Sequence, residues 1–138
     1  MNDYITSNNI DLVYYNKLSK KEYNSLLNSV SNKRKQAAQN LLNYLCDKYH
    51  INRIKLIISE DKRKIIKNGQ IYGFYKKGIS ITIYNKTAKT NKEVSIKSFI
   101  DTLLHEFMHH YDTEYLKIQT MHTAGFYKRI SDLEKKLK

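Results

Sequence analysis

Residues 94–115 read VSIKSFIDTLLHEFMHHYDTEY, and the reading of this stretch decides the fold. Phe99, Ile100, Leu103, Phe107, Met108 and Tyr111 recur at three- and four-residue spacing, the period of a helix that buries one face. Inside that period stands HEFMH, residues 105–109. Residues four apart share a helix face, so the imidazoles of His105 and His109 can reach one metal ion while Glu106, one residue on, points to its side. A catalytic zinc takes three protein ligands and leaves its fourth position for water. The third ligand therefore has to come from another position.

Four downstream residues compete for that role. His110 is turned about 100° from His109 on the same helix, so it cannot join the pair, and a partly exposed polar residue is expected there. Asp112 lies on the correct face but about 10 Å along the axis from His105, too far to share an ion. A hydrogen bond to His109 from behind the metal stays open to it. Glu114 points elsewhere and reads as surface charge. His122 lies within QTMHTAGF, a stretch that leaves the helix, turns near Gly125 and opens a last helix. A segment of that length can fold back and present an imidazole from the opposite side, so His122 is the expected third ligand.

Outward from this helix the pattern changes twice. Ser19 and Glu22 have the spacing of a capping box. Behind them Tyr23, Leu26, Leu27, Val30, Ala37, Ala38, Leu41, Leu45 and Tyr49 recur at helical spacing, which predicts one long helix over 20–48. Ile54, Leu56 and Ile58 then alternate with Arg53, Lys55 and Ile57, and Gly69 and Gly78 divide the next residues into 70–75 and 79–84. Three short strands are expected. Near the end, Phe126, Ile130, Leu133 and Leu137 form one apolar stripe of a short helix, with Lys128, Arg129, Lys135 and Lys136 outside it. Helix, three strands, helix, helix is an α+β order with a single small sheet. The 138 residues suit one domain over 1–138 with a core that needs no disulfide staple; residues 1–18 are expected to be loosely ordered.

Lys and Arg number 25 against 13 Asp and Glu, a net charge of +12. Residues 53–92 carry most of it, with 11 basic side chains against Glu60 and Asp61. Lys62, Arg63, Lys64 and Lys67 cluster in one connection, which predicts weak contact with nucleic-acid phosphates. Abundant Lys, Asn, Ile and Tyr with no Pro or Trp also carry the stamp of AT-rich coding, a competing source of the charge. No apolar run approaches the ~18 residues of a membrane span, so no membrane partner is expected. Cys46 is the single cysteine, which excludes an intramolecular disulfide and a cysteine-rich zinc ribbon within these residues. The start MNDYITSNNIDLVYYNKL lacks a secretory pattern, so a cytoplasmic, intracellular protein is the expectation.

The segments IYGFYKKGISITIYN (71–85), TLLHEFMHHYD (102–112) and HTAGFYKRI (122–130) together resemble the SprT-like, Spartan-related zinc metallopeptidase family. The matching positions are Gly73 with Phe74 and Tyr75, the aliphatics Ile79, Ile81 and Ile83, Leu103 and Leu104 before His105, and His122 with Phe126. The size is similar to that of small stand-alone members in mobile elements. The resemblance implies a zincin-like fold and Zn2+ held by His105, His109 and His122. It further implies peptide-bond hydrolysis with Glu106 as the catalytic base, on protein or peptide substrates that include DNA-associated proteins. It also suggests 79–84 as the strand edge that receives substrate. Tyr111, Tyr115 and Tyr127 are candidates for a second electrophile. The competing reading is a non-catalytic, zinc-stabilised nucleic-acid-binding protein, for which Glu106 would have no use. A zinc-dependent ribonuclease would want a histidine near position 115, where Tyr115 stands.

Overall fold

A computed structural model of the protein describes residues 18–138. The expectation for residues 1–17 lies outside the described residues, whereas Leu18 is buried in the core.

The predicted first helix is broken by its own polar residues. Asn, Ser and Asp side chains compete for backbone groups and favour helix ends. Here the Asn28 amide donates to the Asn24 carbonyl at 2.9 Å and the Ser29 hydroxyl to the Leu26 carbonyl at 2.7 Å. The result is α1 (Lys21–Leu27), a 3-10 turn (Ser31–Lys33) and α2 (Arg34–Lys48). The Ser19–Glu22 pair forms a loosened box, with the Ser19 hydroxyl donating to the Glu22 carboxylate at 3.2 Å and accepting from the Lys21 N–H.

Five strands replace the three expected: β1 (Lys55–Lys62), β2 (Lys64–Ile66), β3 (Gly69–Ile71), β4 (Gly73–Lys76) and β5 (Ser80–Lys86). β2 and β3 form a separate antiparallel hairpin, and the main sheet has the order β1-β5-β4. β5 pairs in parallel with β1, Leu56 opposite Ile81, and antiparallel with β4, Gly73 opposite Ile83. The sheet is therefore mixed, with β5 at its centre. Residues 80–85 of β5 are all buried, so the stretch suggested as a receiving edge is paired on both sides. The edges are β1 and β4, and β4 is the one that lies against the next helix. Gly73 fits there because a Cβ would stand 2.5 Å from the Thr82 carbonyl oxygen and 3.1 Å from Thr102 Cγ2. Only a residue without a side chain lets the edge strand lie this close to the next helix.

That helix, α3 (Ile96–Tyr111), starts where the Ser95 hydroxyl accepts from the Ser98 N–H. It packs against β4 and β5, and α4 (Ala124–Leu137), capped by Thr123, packs on it in turn. Leu26, Leu41 and Leu45, Leu56, Ile81 and Ile83, Phe99, Leu103 and Phe107, and Phe126, Leu133 and Leu137 join in one core. Each such side chain contributes about 1.5–3 kcal/mol when fully buried. The fold class is thus α+β with four α-helices and a small mixed sheet among the described residues. No helix among them is long and apolar enough to cross a membrane.

Candidate metal centre

α3 does not stop cleanly after HEFMH. It widens into one π-helical turn (Asp112–Leu116), closed by Lys117 in the left-handed conformation at φ 59° and by the Ile118 N–H donating to the Asp112 carbonyl at 3.1 Å. π-turns are uncommon and mark places where a helix is bent to a task. Here the turn sends residues 117–123 back along α3, so that Thr120 and His122 face the helix they have just left.

Three imidazoles consequently meet. His122 Nε2 lies 3.2 Å from His105 Nε2 and 3.0 Å from His109 Nε2. The three residues form a group whose ligand atoms all lie within 4.8 Å of one another. Phe126, fully buried, lies beneath them, its ring centroid 5.1 Å from His105, 4.5 Å from His109 and 5.4 Å from His122. The spacing of His122 and Phe126 in the sequence thereby acquires a physical meaning: the chain's entry into α4 places the imidazole and its apolar floor together.

The donor set fits a borderline-soft divalent ion such as zinc. Burial, aided by the neighbouring imidazoles, pushes His105 down to about 4 and His109 to about 3, which keeps both rings neutral with a lone pair to give near neutral pH. The tautomer of His109 is also fixed. Thr120 Oγ1 donates to Asp112 Oδ2 at 3.0 Å, so it must accept from His109 Nδ1 at 2.7 Å, leaving His109 Nε2 free of its proton. Asp112 in turn takes two hydrogen bonds from Arg129, Nε at 3.0 Å and a terminal nitrogen at 2.7 Å.

Three placements differ from expectation. His110 is buried, not partly exposed: its Nε2 donates to the Asn52 carbonyl at 2.8 Å and its Nδ1 accepts from the Tyr75 hydroxyl at 3.0 Å. Arg129, expected outside the apolar stripe of the last helix, is buried against Asp112. Asp112 reaches His109 through Thr120, which the sequence does not single out. Arg63 also turns inward instead of joining the exposed lysines around it.

Glu106 follows His105 on the wall of an open groove of about 1050 Å³. Burial to 6% exposure raises its carboxyl to about 7; a cation at the imidazoles would lower it again. β4 and Tyr127 both line the groove, Tyr127 standing 6.1 Å from His105 and 6.0 Å from His122 between ring centroids. Tyr111 and Tyr115 instead pack around Tyr49, Tyr111 fully buried, and do not line the groove. Comparison of the chain with protein-family models, with curated proteins and with solved structures finds no match.

Proposed function

We propose that the protein is a zinc-dependent metalloendopeptidase of SprT-like type with a zincin-like arrangement, and that His105, His109 and His122 hold the ion. The observation that carries this reading is the convergence of three imidazole Nε2 atoms in a groove that also presents the Glu106 carboxylate and an edge strand. Zinc on three neutral imidazoles supplies Lewis acidity at a substrate carbonyl.

The chain's own residues do the rest. A peptide laid along β4 forms backbone hydrogen bonds with an edge that has no second partner among the described residues, which holds substrate without demanding a sequence. Glu106, held as a carboxylate by the nearby cation, takes a proton from the attacking water and returns it to the leaving amine. Of the three candidate tyrosines Tyr127 alone lines the groove, and its hydroxyl is the donor this reading assigns to the carbonyl oxygen. Thr120 and Asp112 keep His109 aimed.

The reading is tested by Glu106→Gln. The amide still hydrogen-bonds water but cannot accept its proton, so turnover of an unfolded protein substrate should fall by about 10²–10⁴-fold while one zinc per chain is retained. Zinc loss as complete as that in His105→Ala would make Glu106 a structural support. A fully loaded wild-type protein that cleaves nothing would favour the non-catalytic, nucleic-acid-binding alternative.

A further inference from the structure

The four arginines of the chain are treated very differently by the fold. Arg34 pairs with Glu93, Arg53 with Asp47 and Arg129 with Asp112. Arg63 is 8% exposed and has no carboxylate partner among the described residues. It is also fixed in place. Its backbone N–H donates to the Lys86 carbonyl at 2.8 Å, one terminal nitrogen donates to Ser98 Oγ at 2.9 Å, and the guanidinium carbon stands 4.6 Å over the Tyr72 ring. Its Nε is enclosed without an acceptor. A buried cation is costly unless an anion offsets it, and burial does pull the Arg63 pKa down. Arg63 lines the same groove as the imidazoles, so the missing anion can arrive with a ligand.

Its distance from the imidazoles sets where on a ligand that anion would be. Ser98 precedes His105 by seven residues on α3, about 10 Å along the helix axis. An extended peptide covers ~3.3 Å per residue, so about three residues separate the two points. The direction follows from β4, which begins at Gly73 against Thr102 and reaches the His109 end of the groove at Tyr75, whose ring stacks 6.4 Å from that of His109. A strand added antiparallel to β4 runs the other way and brings its C-terminal side to Arg63.

We propose that Arg63, braced by Ser98 and Tyr72, is a carboxylate-recognising subsite of the groove, selecting peptides with an acidic group about three residues C-terminal to the cleaved bond. The inference rests on the peptidase reading above. With Nε enclosed, a carboxylate meets the two terminal nitrogens, one of which also holds Ser98, and these can donate to its two oxygens; that carboxylate is either an Asp or Glu side chain or the peptide's own C-terminus.

The test measures binding apart from turnover. Fluorescent peptides with Glu or Gln at that position, and one ending there in a free carboxylate, are titrated by anisotropy into zinc-supplied Glu106→Gln protein at low salt. The Glu peptide or the truncated peptide should bind about tenfold more tightly than the Gln peptide; which of the two does so identifies the source of the carboxylate. Adding Arg63→Gln should abolish that difference and leave the Gln peptide's affinity unchanged, a result that also shows the variant to be folded. Equal binding of all three peptides overturns the subsite, as does a preference that survives Arg63→Gln. A short oligonucleotide whose binding needs Arg63 while the peptides bind alike overturns it in favour of phosphate. Selective binding by the Glu106→Gln protein with no cleavage by the wild type would leave the subsite standing and remove the peptidase reading, so the two failures are distinct.

Discussion

The Thr120 hydroxyl stands 2.7 Å from His109 Nδ1 and 3.0 Å from the Asp112 carboxylate, so that a neutral side chain passes the orienting effect of a buried anion to a ring of the candidate metal centre. Valine has the shape of threonine without the hydroxyl. Thr120→Val should therefore keep the fold but free the His109 ring to rotate and change tautomer, weakening zinc by about 10–100-fold. Competition with a chromophoric chelator measures it. An unchanged zinc affinity would mean that Phe126 packing alone orients His109.

Behind Thr120, the Asp112–Arg129 pair holds the returning segment to α4 with both side chains almost fully buried. Asp112→Asn leaves the Arg129 cation without its counter-charge and should cost about 3–5 kcal/mol in urea unfolding. The double replacement Asp112→Leu with Arg129→Met removes both charges and should recover most of that stability. Zinc affinity should stay low in the double variant, because Thr120 has lost its acceptor. If the double variant were no more stable than Asp112→Asn, the pair would not be the source of the loss.

The parts of the site that are legible in the sequence are those set by local geometry. His105 and His109 share a face because the helical period of Phe99, Leu103 and Phe107 fixes the phase of α3, and the count of zinc ligands forces a search that ends at His122. Thr120 and Arg129 are not legible for a physical reason: a buried polar residue is recognisable only with its partner, and the partner Asp112 is 17 residues from Arg129. The sheet order is hidden likewise. The alternation of residues 79–84 suits any half-buried strand, and parallel pairing with β1 is a long-range contact that local pattern does not record, and it makes β5 the centre. Two other departures do have a local signal. Asn28 and Ser29 mark the break in the first helix, and Gly69, at φ 143° just after the Lys67–Asn68 turn, marks the β2–β3 hairpin.

Cys46 offers a check on the core that is independent of metal. The thiol is fully buried among the packed residues of α2, and burial, with a smaller contribution from Asp47, pushes it up to about 12. A raised pKa means less thiolate at any given pH, and thiolate is the reactive form. In native buffer near pH 8, labelling by a thiol reagent should proceed only through opening of the α1–α2 region, and it should accelerate with urea in step with loss of helix. Labelling at the rate of a free thiol in native buffer would show that the site is open.

The basic hairpin provides the remaining measurement, and the structure changes how it has to be done. Lys62, Lys64 and Lys67 are exposed around the β1–β2 connection and the β2–β3 turn, while Arg63 between them faces the groove. Three surface cations, not four, are available to phosphates. Each phosphate neutralised releases counterions, so affinity for a single strand should fall with salt at a slope of about 0.7 per contact. Reversing Lys62, Lys64 and Lys67 to Glu should weaken oligonucleotide binding and reduce that slope by about 2. Arg63→Gln should leave both untouched, which separates surface phosphate contact from carboxylate recognition in the groove. Hydrolysis of a short free peptide, which the proposed function assigns to the candidate metal centre and β4, should survive the triple reversal, while cleavage of DNA-bound protein should fall if nucleic acid recruits the substrate. An unchanged oligonucleotide affinity after all three reversals would assign the +12 charge to composition, because no other exposed cluster on this hairpin is left to make the contact.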